Sequence, residues 1–341
     1  MLTAVSLFSG CGGFDFGASK AGIKVIWAND VDKTAALAYK SLLPDVDFVQ
    51  GDIRKVLDFP KADVLIGCYP CTGFSLAARR KWHEREDRNL QHIEGNFLYR
   101  EFIRAIDYVR PKYLFIENVG GMTSADGGWF FKQQLEGLRD KGFVVKHHML
   151  HSEKFGLAQT RKRVFLVGVH KDIAESGFTY NFPTATHGEK LLPLQTMYDV
   201  LNGVETNIET DVCNNPFHGH YLTRNRKRSW NDPSFTIVAT DSHVPLHPAG
   251  EPMVKVGKDN WALQGQINRR LSWKECAIIQ GFPVDKLKFD APLTQKYKVI
   301  GNAVPPNFGY AIVKPVVEYE ESTCLPNTFA EALEQMNSSG Y

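Results

Sequence analysis

The sequence predicts an α/β protein, a doubly wound sheet interrupted by a second, smaller domain of different build. Three observations carry this. Short apolar runs alternate with helically spaced segments up to about residue 180. A glycine-rich turn, FSGCGGFDFG at 8–17, joins the first run to the first helix. From about 181 to 265 the alternation stops, and Pro, Asn, His and Gly accumulate.

Residues 3–8 (TAVSLF) are a short apolar run ended by Ser9-Gly10, the pattern of a buried strand. DFGASKAG (15–22) reads as a short helix stopped at Gly22. IKVIWAND (23–30) gives a second strand ending on an acid, followed by helical spacing over 32–42. VDFVQGDI (46–53) and ADVLIGC (62–68) read as the third and fourth strands. A helix over 97–111, halted by Pro111, precedes a fifth strand at 113–119. A helix at 129–141 then leads to strands at 143–150 and 164–170. In the irregular block SFTIVAT (234–240) is an extended run; beyond it 271–282 is helical, and 301–319 is a turn followed by a helix. The tail from 320 is polar. We divide the chain at 1–180, 181–270, 271–325 (a return to the first domain) and a tail at 326–341.

At 341 residues, 43% hydrophobic and 23% charged, the chain is globular. No run approaches eighteen apolar residues, and no basic region precedes the first apolar run, so neither a membrane span nor a signal peptide is expected. Cysteines at 11, 68, 71, 213, 276 and 324 are too sparse for a disulfide framework, which fits a reducing cytoplasm. The net charge of +2 means that a polyanion would have to meet a local patch. TRNRKRSW (223–230), with Arg224, Arg226, Lys227 and Arg228, is either such a patch or a solvated basic loop.

The glycine turn lies where open parallel sheets receive nucleotide-like ligands. The dinucleotide pattern is not met: Gly10 and Gly12 fit, but position 15 is Asp, an unfavourable neighbour for a pyrophosphate. A nucleoside cofactor without phosphate suits the site better, and S-adenosylmethionine is one. Asp30 is placed to accept from ribose hydroxyls and Asp52 from an adenine amino group.

GCYPCTGFS (67–75) poses a separate question. Its Cys68 and Cys71 read as half a zinc site, a redox pair, or one nucleophile with a bystander. Zinc wants four ligands, and no second pair is present, so no metal site is expected. A nucleophile needs an acid to handle the substrate's proton, and Glu117, ending the next strand, supplies a carboxylate at the same sheet edge.

Taken together, FSGCGGFDFG, NDVD (29–32), GDI (51–53), PCTGFS (70–75), ENV (117–119), QTRKR (159–163), RRLSWKECAIIQGFP (269–283) and GNAVPP (301–306) resemble, in order, the motifs of DNA cytosine-5 methyltransferases of bacterial restriction-modification type. The resemblance spans nearly the whole chain. It implies a Rossmann-like, S-adenosylmethionine-dependent catalytic domain facing a smaller target-recognition domain across a DNA cleft. It makes Cys71 the nucleophile at cytosine C6, Glu117 the acid at N3, and Arg163, with Arg161, the donors to O2; for Arg161 a phosphate contact is the alternative. Phe8, Ser9, Gly10 and Gly12 would line the cofactor, with Asp30 and Val31 at the ribose and adenine, Asp52 and Ile53 at the adenine, Pro70 beside it, and Asn302, Ala303 and Val304 closing over the methionine end.

Several positions depart from the family's habit. Thr72 stands where Gln usually approaches the gap left by a flipped base, and Tyr69 replaces a usual Pro. Val31 is smaller than the usual adenine-stacking side chain. For DNA contacts we expect Thr72, Ser75, Arg79 and Arg80 after the nucleophile, and Arg224, Arg226 and Arg228 in the recognition domain. The expected partner is double-stranded DNA, with a cognate restriction endonuclease as a functional companion and a monomeric state. Methylation of transfer RNA and a catalytically silent DNA binder are the alternatives. The first is disfavoured because the CFT string of that branch is absent, the second because Cys71, Glu117 and Arg163 are all present.

Overall fold

The computed structural model of the protein describes residues 1–70 and 90–323. β1 (Thr3–Leu7) runs through the glycine turn into α1 (Gly13–Lys20), followed by β2 (Lys24–Asp30), α2 (Lys33–Leu42), β3 (Asp47–Gln50) and β4 (Val64–Gly67). The described chain resumes at Leu90 with two short 3-10 turns, followed by α3 (Tyr99–Val109), β5 (Tyr113–Asn118), α4 (Trp129–Asp140), β6 (Phe143–His151), β7 (Gln159–Thr160) and β8 (Lys162–His170). Local chemistry sets the ends. The Asp32 carboxylate accepts from the backbone of Thr34 and Ala35 to start α2, and α3 stops at Arg110, φ 52°, just before Pro111.

Seven strands form one sheet in the order β3-β2-β1-β4-β5-β8-β6. The first five are parallel neighbours, while β8 runs antiparallel to β5 on one side and β6 on the other. Central β4 and β5 are buried at every residue, which is why VLIG and YLFI are apolar runs; β5 then ends on the buried polar Glu117 and Asn118. Edge strand β6 instead exposes Lys146, His147 and His148, charges and polarity that discourage another strand from pairing there. Phe14, Phe115, Phe165 and Phe308 fill one face of the sheet, and Phe102, Leu114 and Phe130 fill the other. The fold is thus the doubly wound sheet expected from the alternation.

The reversal of β8 positions the site. Pairing puts Asn118 opposite Val164 and Glu117 opposite Phe165. The first residues of β8, not its last, therefore lie at the edge where β1, β4 and β5 end.

After 180 the backbone is mostly irregular, with two small pairs: β9 (Ser234–Phe235) parallel to β7, and β10 (Val254–Gly257) antiparallel to β11 (Asn260–Ala262). Tyr221, Leu246 and Met253 gather a small core of their own with Phe217, Leu222, Trp261 and Leu263. Met197, Leu201, Ile237 and Val244 pack instead with the C-terminal helices α5 (Trp273–Ile279) and α6 (Leu293–Asn302). A Ser272/Glu275 capping box opens α5. The sequence pattern does not anticipate α6, because its ten residues bury too few apolar side chains, Tyr297, Val299 and Ile300 among them, to show a period.

The last helix, α7 (Pro306–Thr323), closes the fold against α1. Contact there is backbone to backbone. A Cβ on Gly17 would lie 2.0 Å from the Pro306 carbonyl oxygen, and one on Gly309 2.3 Å from that of Phe14. Among the described residues no helix is long and apolar enough to cross a membrane.

Candidate active site

The glycine turn is built from left-handed backbone at Phe8 (φ 54°), Gly10 (φ 56°) and Gly12 (φ 83°). Glycine adopts this freely; for Phe8 it costs about 1–2 kcal/mol, which the surrounding bonds must hold in place. Ser9 donates from both N and Oγ to the Asn29 carbonyl, at 3.0 and 3.1 Å. The Asp30 carboxylate accepts from Gly10 N and from Asp32 N, each at 2.8 Å. Burial pushes that carboxyl up, and these two backbone donors pull it back. Asn29 Nδ2 donates to Val49 O at 2.8 Å and Gly51 O at 3.0 Å, tying the end of β2 to that of β3. A Cβ on Gly10 or Gly51 would meet nothing within 4 Å, so open space faces both.

Next in the chain to Asp30 and Gly51 stand Val31, 65% exposed, and half-buried Asp52, followed by buried Ile53. Asp52 is held near 2 by hydrogen bonds from Arg54, whose guanidinium also pairs with Glu94. Exposed Asn302 and buried Ala303 and Val304 arrive from α6; a Cβ on Gly13 would lie 2.0 Å from the Val304 carbonyl oxygen. Carboxylates and backbone groups line the site, and the nearby Arg54 guanidinium is already paired. Such donors and acceptors fit the hydroxyl and amino groups of a nucleoside and repel a pyrophosphate. S-Adenosylmethionine meets that requirement. Asp15 plays a different part from the one its sequence position suggests. It points into the core, where Ser6 Oγ and Tyr39 OH both donate to it at 2.8 Å.

At the same edge Arg163 Nε donates to Glu117 Oε1 at 2.8 Å. Glu117 is only 8% exposed. Burial raises its carboxyl above the usual range, opposed by the Arg163 and then the Arg161 guanidinium. The result is an acid within reach of a proton, beside a cation. Cys68 follows β4, its N–H bonded to Leu7 O at 3.2 Å; burial first, then the Glu117 charge, push its thiol far above the reactive range. Next, the buried Tyr69 donates its hydroxyl to Gln134 Oε1 at 2.6 Å and sets its ring edge-on to Phe8 at 6.2 Å. Pro70 is exposed. Cys71, Thr72, Ser75, Arg79 and Arg80 lie outside the described residues.

Two expectations are corrected. Arg161 is 1% exposed, and its guanidinium donates to the carbonyls of Ile237, Gly301 and Ala303, so it faces neither O2 of a base nor a phosphate. Arg226, expected at DNA, is 5% exposed and donates to the carbonyls of Tyr221 and His243. Arg224 is exposed, and Arg228 lies over the Phe235 ring at 4.3 Å. Sequence reasoning also gave no part to Arg270, which donates to the carbonyls of Cys213, Asn215 and Ser242. The signal was available: irregular backbone leaves carbonyls without ladder partners, and buried guanidinium groups are the donors long enough to reach them. Among the described residues no cluster of three or more His, Cys, Asp or Glu could hold a metal ion.

Comparison with known proteins bears on this geometry. The C-5 cytosine-specific DNA methylase family matches residues 2–318. The chain is 35% identical to the type II methyltransferase M.BsuRI of Bacillus subtilis, over 93% of this chain and 80% of that one. It is likewise 35% identical to M.BspRI of Lysinibacillus sphaericus, over 92% of this chain and 81% of that one. In fold it resembles the crystal structure of a Spodoptera frugiperda DNMT2 mutant, with TM-score 0.67 at 15% identity, over 92% of this chain and 99% of that one. With its glycine turn, strand-end acids and Glu117–Arg163 pair gathered at one edge of the sheet, the chain belongs to the C-5 cytosine-specific DNA methylases.

Proposed function

We propose the following division of labour for the cytosine-5 methylation of DNA with S-adenosylmethionine that this family performs. Cys71, three residues beyond the inert Cys68, adds its thiolate to C6 of the target cytosine. Glu117 gives its proton to N3 as that bond forms, and Arg163 donates to O2, where charge develops. The ring then carries electron density at C5. S-Adenosylmethionine supplies the methyl group that C5 takes. Loss of the C5 proton to water and departure of Cys71 as its thiolate restore the aromatic ring as N3 returns its proton to Glu117. C6 is out of reach inside a duplex, so the base is flipped into the pocket at a cost of roughly a few kcal/mol.

The glycine turn at 8–12, Asp30, Val31, Asp52, Ile53, Pro70 and 302–304 hold the cofactor in this reading; open space at Gly10 and Gly51 supports it. Residues 181–270 form the target-recognition unit, where exposed Arg224 and half-buried Arg228 face DNA, joined by Thr72, Ser75, Arg79 and Arg80 from the catalytic loop. The protein works as a monomer in the bacterial cytoplasm, alongside a restriction endonuclease reading the same sequence.

The observation that carries the chemistry is the buried Glu117–Arg163 pair, an acid kept protonatable next to a fixed cation. The test is methyl transfer from labelled S-adenosylmethionine to mixed genomic DNA and to total RNA, with bisulfite sequencing of the DNA. Label at cytosine within one short repeated DNA sequence is expected. Label on RNA alone would overturn the reading.

A further inference from the structure

Arg161 sits where separate stretches of backbone meet. Through Nη1 it donates to Ile237 O at 3.0 Å and Gly301 O at 3.2 Å; through Nη2 it donates to Gly301 O at 3.2 Å and Ala303 O at 3.0 Å. Its own N–H donates to Ser152 Oγ at 2.8 Å and its carbonyl accepts from Ser152 N at 2.8 Å, so stem and head are both fixed. The junction leaves no slack. A Cβ on Gly301 would lie 2.3 Å from Ala239 N and from the Val238 carbonyl. All three acceptors are neutral. Burial and the Arg163 guanidinium both press against the Arg161 charge, and Glu117 is the carboxylate that favours it.

We propose that Arg161 is a positioning residue for methyl transfer: it clamps the 301–303 turn to the 237 segment and, by its charge, steadies Glu117 behind the Glu117–Arg163 pair. The inference rests on the reading above, in which 302–304 closes on the cofactor and Glu117 serves N3. Two separable actions follow from one side chain. The planar fork spans three carbonyls, which an ammonium cannot do. The charge acts at a distance and needs only a cation in that place. Charged or titratable groups facing Glu117 are Arg163 at the start of β8, Arg161 just before it and Cys68 after β4.

Arg161→Lys and Arg161→Met separate the two actions in the full-length enzyme. With Arg161→Met, KM for S-adenosylmethionine should rise about tenfold or more as the turn loses its donors. The alkaline limb of the kcat–pH profile should also move up by about half a unit or more, since losing a cation favours protonated Glu117. With Arg161→Lys, KM should stay raised while the limb returns to its original position. If the Met variant does not fold, the Lys variant decides alone, because a KM equal to that of the parent overturns the clamp. Equal loss of kcat and of affinity for both substrates, tracking the folded fraction, also overturns it. Glu117→Gln serves as the control for the underlying reading: full turnover in that variant removes the N3 role, while the cofactor KM arm still tests the clamp.

Discussion

Arg163 Nε and Glu117 Oε1 lie 2.8 Å apart because an antiparallel strand delivers its first residues to the edge where a parallel strand ends. Neither side chain would meet the other if β8 followed the direction of its neighbours. The pair also explains why a buried carboxyl is tolerated: the arginine opposes the desolvation that raises the Glu117 carboxyl.

Glu117→Gln should lower kcat by about 10²–10⁴-fold, the usual worth of a positioned acid, while cofactor affinity changes less than about twofold. Arg163→Met should also slow turnover, and its pH profile carries the sign. Removing the cation raises the Glu117 carboxyl further, so activity falls off at higher pH than in the parent. A limb moving to lower pH would contradict the assignment of Glu117 as the proton donor.

The two cysteines of the PC motif region should behave oppositely. Cys68 has its thiol pushed far up by burial and by Glu117, so at pH 8 it stays a thiol and resists iodoacetamide. Cys68→Ser should retain activity within a few-fold, and Cys71→Ala should abolish turnover while keeping specific DNA binding. Mass mapping of alkylated peptides checks the first statement, and gel-shift with methyl-transfer assays checks the second. Loss of activity in Cys68→Ser would restore a paired role for the cysteines.

How much of this was legible beforehand differs by residue. Glu117 and Asp30 were legible because strand ends in a parallel sheet all point at one edge, and an apolar run ending in an acid marks such an end. Arg163 was legible only through resemblance; no local pattern shows that β8 is antiparallel. Arg161, in QTRKR, was placed at the base through resemblance, and Arg226 at DNA from its basic surroundings. A basic residue in an irregular, glycine- and proline-rich stretch looks solvated. Yet such a stretch has carbonyls with no ladder partner, and burying a guanidinium is one way to satisfy several at once. Helix α6 was missed because it buries few apolar side chains of its own, and its stability comes from packing against α5, α2 and the 237–244 segment.

That correction changes what the basic stretch should do in a salt titration. Arg224→Ala with Arg228→Ala should weaken DNA binding and flatten log K against log[salt] by up to about 1.8, at roughly 0.9 for each phosphate no longer neutralised. Arg226→Met should leave the slope alone and lower the melting temperature instead, because two carbonyls, those of Tyr221 and His243, lose a charged donor. Binding isotherms at four salt concentrations, with thermal unfolding of the same samples, distinguish the two. A flattened slope in Arg226→Met would place that side chain at DNA after all.

Asp15 gives a prediction about stability that is independent of catalysis. The side chain is 0% exposed, with Ser6 and Tyr39 donating to it, and burial pushes its carboxyl up to about 6 from an ordinary 3.8. The sign follows from proton uptake. Between about pH 4 and pH 6 the unfolded chain has released this proton and the folded chain has not, so stability falls as pH rises through that window. Below it both states hold the proton, and above it neither does. The full difference is about 3 kcal/mol at about 1.4 kcal/mol per pH unit. Asp15→Asn keeps the shape, and either hydroxyl can turn to accept from the amide. Its stability relative to the parent should therefore grow by about 2.4 kcal/mol from pH 4 to pH 7 and then level off, since part of the difference lies below pH 4. Urea unfolding of both proteins at pH 4, 5, 6, 7 and 8 measures this, and a difference that stays constant across the series would show that Asp15 keeps an ordinary carboxyl in the folded state.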